Sequence, residues 1–82
     1  DVAAKLRAFG WHALECDGHN PAALLDAFNA VRAHGDGPAA IVAQTVKGKG
    51  VSFMEGQAAW HGKPISGADY ARAMAELEGQ TA

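Results

Sequence analysis

Residues Ala39 to Val46 read Ala-Ala-Ile-Val-Ala-Gln-Thr-Val, a nearly continuous apolar run without polar alternation. A strand of this kind is expected where both faces of a sheet are covered, as in a parallel sheet. The residues before it dictate how the chain arrives there. Asn20-Pro21 is a helix start. Asparagine accepts from the free N–H groups of the first turn, and proline at the first helical position gives up no hydrogen bond. Leu24, Phe28 and Val31 fall on one face of that helix with Leu25 beside them, and the helix is expected to reach about His34. Gly35 then suits the left-handed C-terminal position, and Pro38 prevents the helix from resuming. Upstream, Trp11 to Cys16 is a short mixed segment closed by the turn signal Asp17-Gly18, which reads as a strand. Strand, helix, strand in this order predicts a βαβ unit.

The flanks extend the pattern. Val2, Leu6 and Phe9 share one face of a short helix that Gly10 stops. After the second strand comes a loop of about twenty residues, Lys47 to Gly67, long enough to be functional or disordered. Ser66-Gly67-Ala68-Asp69 approximates a capping box, followed by a helix with Tyr70, Met74 and Leu77 on one face. The expected fold class is therefore α/β, a partial doubly wound parallel sheet made of a βαβ unit plus flanking helices. Two strands leave two open sheet edges. Alanine supplies 19 of the 82 residues, so large core side chains are few. A chain near this length buries only about 60% of its unfolded surface. These points lead to the expectation that residues 1–82 are a segment of a larger α/β domain, and a start at Asp1 without Met agrees. No secretory signal is visible at that end.

Other classes drop out. A net charge of −2 carries no footprint for nucleic acid or an anionic membrane. The apolar stretch Ala39 to Ala43 is far short of the ~20 residues that span a bilayer. A single cysteine, Cys16, excludes an internal disulfide framework and a multi-thiolate zinc site. It suits a reducing, cytoplasmic setting, and a buried structural thiol is the expectation for it. The histidines are too scattered for a metal-ligand spacing, and no paired carboxylates occur, so no metal ligand is assigned. His12 falls in the first strand, and His34 is placed to meet a helix C-terminal dipole.

Chemistry is expected in two places. Thr45-Val46-Lys47-Gly48-Lys49-Gly50 directly follows the apolar strand, and open α/β sheets bind ligands beyond strand carboxyl ends. Glycines let a backbone approach an anion, and lysines neutralise phosphate. The spacing is not that of a P-loop. The plain alternative is a solvated basic turn. In the long loop, Trp60-His61-Gly62-Lys63-Pro64 offers a proton-handling imidazole, a glycine that admits a ligand and an indole able to anchor the loop. Here the alternative is a hydrophobic anchor with an incidental histidine. Asp17-Gly18-His19 lies at the other strand end, and turn and cap chemistry accounts for its first two residues.

Taken together, Phe9-Gly10-Trp11-His12, Asp17-Gly18-His19, Ala43 to Glu55 and Trp60-His61-Gly62-Lys63-Pro64 resemble transketolase. The likeness runs from about Lys5 to Leu77 and is to the C-terminal part of the thiamine-diphosphate-binding N-terminal domain, as in short or split transketolases. It implies an enzyme that transfers a two-carbon ketol unit between sugar phosphates, with thiamine diphosphate supplying the carbanion. By resemblance, Lys47 lies near the cofactor, His61 contacts cofactor and substrate and is catalytic, and Lys63 helps receive the sugar phosphate. Gly48 and Gly50 correspond to loop-shaping residues. The resemblance also implies Mg²⁺, held by a Gly-Asp-Gly stretch and an Asn that the family carries upstream of this segment. A glutamate from another domain and a second subunit complete the dimeric active site. The isolated chain is therefore expected to be inactive, needing the remainder of transketolase or a second subunit. Related readings are a segment of a 1-deoxyxylulose-phosphate synthase, which the Trp60 to Pro64 motif disfavours, and a non-catalytic α/β assembly module. The central expectation is that Lys47 and His61 converge on one anionic ligand.

Overall fold

A computed structural model describes residues 1–80 of the chain, so residues 81 and 82 of the expected 1–82 segment lie outside the described residues. The chain forms two compact units, one from Asp1 to Thr45 and one from Val46 onward.

The first unit is the βαβ unit with one preceding helix. Helix α1 spans Val2–Ala8, strand β1 His12–Asp17, helix α2 Pro21–His34 and strand β2 Ala39–Gln44. The strands pair in parallel, from His12 opposite Ala39 to Asp17 opposite Gln44, and both helices pack on them. The helix boundaries follow their local signals. The Asn20 side chain accepts from the Ala23 amide at 3.1 Å, and Gly35 ends α2 in the left-handed region at φ 60°. The Asp1 carboxylate caps α1 by accepting from the Ala4 amide.

Strand limits differ from expectation because they are set across the sheet. The first strand runs His12–Asp17 rather than Trp11 to Cys16, its His12 amide donating to the Pro38 carbonyl at 3.0 Å. The second stops at Gln44 rather than Val46. Its partner ends at Asp17, and the Gly18 amide donates the last cross-strand bond to the Gln44 carbonyl at 2.8 Å. A Cβ at residue 18 would stand 2.5 Å from the Thr45 methyl and 3.0 Å from the Gln44 carbonyl oxygen, so a side chain would crowd the point where the strands part. As expected of turn chemistry, the Asp17 carboxylate accepts from the His19 amide. The expected cover on both faces of β2 is not complete: Ile41 and Val42 are half-buried, and Ala43 and Gln44 are exposed.

The packed helix faces also differ. Ala3 is fully buried in α1, while Val2 and Phe9 are exposed, Phe9 to 85%. In α2 the inward face is Leu24, Ala27 and Val31, with Leu25 and Phe28 exposed. Alanines at the centre of each contact let the helices approach the sheet closely, and the bulky side chains flank the contact. Cys16 is half-buried, not buried. His34 stacks on His12, with ring centroids 3.9 Å apart and planes within 9°, tying the end of α2 to the start of β1.

The second unit is a folded loop and helix α3, Gly67–Gly79. Ser66 caps α3 by accepting from the Asp69 amide at 3.1 Å, as the sequence predicts. Its inward face centres on Ala73 with Met74 and Glu76, whereas Tyr70 and Leu77 are exposed. The loop is ordered by its own hydrogen bonds. The Gly56 amide donates to the Lys47 carbonyl at 2.8 Å and closes residues 47–56 into a ring of turns around the buried Val51. A single 3₁₀ turn, Ala58–His61, follows.

Candidate functional site

Lys47 opens the closed loop, and its side chain is exposed. Gly48 follows at φ 73°, a conformation that L side chains disfavour. The amides of the next three residues are committed within the unit. Lys49 donates to the Val46 carbonyl, Gly50 to the Glu55 carboxylate at 3.0 Å, and Val51 to the Gly48 carbonyl. The amides of Lys49, Gly50 and Val51 are therefore spent within the fold rather than open to an anion. Gly48 serves close packing: a Cβ on residue 48 would lie 2.6 Å from the Met54 backbone. What this turn offers a phosphate is ammonium charge. Among the described residues, Lys47, Lys49 and Lys63 form no ion pair.

His61 is the last residue of the 3₁₀ turn and is exposed. Its neighbour Trp60 is half-buried, and the indole Nε1–H donates to the Phe53 carbonyl at 3.2 Å. The Phe53 and Trp60 rings meet edge to face, 5.8 Å between centroids. Lys63 sets its ammonium 4.4 Å from the Trp60 ring centre, and Arg72 of α3 lays its guanidinium 4.3 Å from that of Phe53. The sequence indicated the anchoring indole. It gave no sign that Phe53 would meet Arg72, since the two lie far apart along the chain and show no shared local pattern. Lys47, His61 and Lys63 all fall in the second unit, where the loop bonds from Gly56 to Lys47 and from Trp60 to Phe53 shape the backbone that carries them.

A second tie holds the loop to α3. The Ser52 amide donates to the Glu76 carboxylate at 2.8 Å, and the Ser52 hydroxyl donates to its other oxygen. The Gln80 side-chain amide donates to the Gly50 carbonyl at 2.6 Å. The depression beside these contacts is lined by Lys49, Ser52, Glu55, Glu76 and Gln80. Its two carboxylates suit it poorly to an anion, and none of Lys47, His61 and Lys63 lines it. The hydrogen bonds from the Ser52 hydroxyl and amide hold the Glu76 carboxyl below its usual range, with a smaller pull from Arg72. A depressed acid contributes stability above its ordinary range and loses it as pH falls through the lowered value. Glu76→Ala is therefore expected to lower the unfolding midpoint at pH 6 and to leave a much smaller difference near pH 2. Thermal unfolding of both proteins at the two pH values checks this, and an equal difference at both would refute the tie.

Fit to a diphosphate cofactor rests on Lys47, an exposed cation that forms no ion pair among the described residues and sits on a hydrogen-bonded turn. Among the described residues no three His, Cys, Asp or Glu side chains gather as a cation site, and no helix is long and apolar enough to cross a membrane.

Comparison with known proteins bears directly on this loop. Residues 1–80 match the family described as transketolase, thiamine diphosphate binding domain. The transketolase of Rattus norvegicus is 44% identical over 61 residues, which is 74% of this chain and 9% of that protein. The 6-deoxy-6-sulfo-D-fructose transketolase subunit SqwG of Clostridium sp. is 45% identical over 75 residues, covering 90% of this chain and 27% of that subunit. An apulose-4-phosphate transketolase subunit from Actinobacillus succinogenes is 35% identical over 74 residues, again 90% of this chain, and 26% of its own length. The chain thus spans about a tenth of the mammalian relative and about a quarter of the two bacterial ones. With a match running through both strands, the closed loop and the last helix, the chain belongs to the transketolase thiamine diphosphate-binding domain family.

Proposed function

We propose that this chain supplies the Lys47, His61 and Lys63 portion of a thiamine diphosphate site in a transketolase that moves a two-carbon ketol unit between sugar phosphates. The observation that carries the reading is the family match over residues 1–80, which includes all three side chains. When bound, thiamine diphosphate supplies the carbanion chemistry that breaks and forms the carbon–carbon bond. Lys47 neutralises charge on the cofactor's diphosphate. His61 hydrogen-bonds to substrate oxygens and carries protons to and from them, a task for which imidazole is suited near neutral pH. Lys63 receives the sugar phosphate as a point charge. Mg²⁺ completes the site from residues outside this segment. The remaining transketolase chain, or a second subunit, supplies the rest of a dimeric active site, and the relatives named as subunits support such an assembly. A cytoplasmic place in pentose phosphate metabolism goes with this reading.

The test is the complete enzyme containing this chain, assayed with thiamine diphosphate and Mg²⁺ for transfer from a ketose phosphate to an aldose phosphate. Turnover is expected there and not from the 82-residue chain alone. A preference for pyruvate as donor would contradict the reading. Lys47→Ala is expected to weaken cofactor binding about tenfold or more, the scale of a lost charge-assisted contact. Titration of cofactor against the variant measures this, and an unchanged Kd would remove Lys47 from the site.

A further inference from the structure

We propose that Trp60 is a positioning residue for substrate phosphate: its indole holds the Lys63 ammonium in place. This deepens the reading of Lys63 as a phosphate receiver and rests on it. Lys63 is an exposed, flexible side chain, and a free lysine in a loop samples many rotamers. Here the ammonium sits 4.4 Å from the indole centre, within the range where a ring face attracts a cation. The indole itself cannot swing, because Nε1–H is bonded to the Phe53 carbonyl and its ring meets Phe53 edge to face. Phe53 in turn carries the Arg72 guanidinium at 4.3 Å, so α3 supports the far end of the stack. From Arg72 through Phe53 and Trp60 to Lys63, the stack runs cation, ring, ring, cation. Each ring holds one positive group, and the terminal cation, Lys63, is the one assigned to substrate.

Fixing Lys63 lowers the ordering cost when phosphate arrives, so the effect belongs in KM for phosphorylated sugars. Removing the ring face is expected to raise that KM about two- to five-fold, the scale of an exposed cation–π contact. The experiment is a double-variant cycle in the complete enzyme. Trp60→Leu and Lys63→Met are each compared with wild type and with the pair, using a ketose phosphate and its unphosphorylated ketose as donors. Trp60→Phe keeps an aromatic face and separates ring loss from general damage to the loop. The proposal expects Trp60→Leu to raise KM for the phosphorylated donor only, Trp60→Phe to restore most of it, and Trp60→Leu to add little once Lys63 is Met. Multiplicative effects in the pair, or a Trp60→Phe enzyme as impaired as Trp60→Leu, would overturn it. A rise in KM with Lys63→Met but not with Trp60→Leu defeats this inference alone. Unchanged KM with Lys63→Met itself defeats the phosphate role of Lys63 and this inference together.

Discussion

His61→Ala in the complete transketolase is expected to lower kcat by about 10²- to 10⁴-fold, the range for loss of a positioned acid–base group. The loop should survive the change. Its folding contacts run from Lys47 to Gly56, from Ser52 to Glu76 and from Trp60 to Phe53, and the imidazole takes part in none of them. His61 is also exposed, so truncation leaves no cavity to collapse. An exposed side chain at the end of a turn anchored by Trp60, making none of the folding contacts, is placed to act on something outside the chain. His61→Gln separates two roles. Glutamine still offers hydrogen bonds but cannot carry a proton near neutral pH, so it should recover part of the KM and little of the kcat. Steady-state kinetics of both variants, with circular dichroism to establish intact folding, decide the matter. A kcat within threefold of wild type for His61→Ala would dismiss His61 as a proton carrier.

The order of elements was legible because the helix boundaries have local causes. Asn20 and Ser66 cap their helices with their own side chains, and Gly35 takes up the left-handed turn that ends α2. Which helix face turns inward was not legible. Counting large apolar residues placed Phe9, Phe28 and Tyr70 inside, yet all three are exposed while Ala3, Ala27 and Ala73 are buried. Periodicity weighs a side chain by its size, whereas close approach of two backbones selects the small one. The strand ends were misjudged for a related reason. Gln44 ends β2 because Asp17 ends β1, and no property of Thr45 or Val46 announces it. At the candidate site, the motifs named Lys47, His61 and Lys63, and position after a strand suggested an anion. The stack from Arg72 through Phe53 was invisible, since contact between α3 and the loop is a tertiary fact. Gly48 shapes the loop, but the hydrogen bonds of the neighbouring amides depend on the Glu55 carboxylate and on loop closure, which no local pattern announces.

Gly48→Ala should be the most disruptive single methyl added to the second unit, costing about 2–5 kcal/mol of its stability. Two effects combine. An L residue at φ 73° carries a cost of ~1–2 kcal/mol. The new Cβ would also stand 2.6 Å from the carbonyl carbon and oxygen of Met54, and backbone cannot yield as a side-chain tip can. Overpacking of this kind adds about 1–3 kcal/mol. The cheapest relief is to move residues 47–49 away from Met54, which breaks the Gly56 amide to Lys47 carbonyl bond that closes the loop. Lys47 then loses its fixed origin, so weaker cofactor binding should accompany the structural change. Gly62→Ala is the matched control. Its φ is −134° and a Cβ there meets nothing within 4 Å, so folding should change little. Limited proteolysis within residues 47–56 and thermal unfolding of the two variants give the comparison. If Gly48→Ala matches wild type in both, the turn is not packed against Met54, and its glycine must be explained instead by the approach of a ligand.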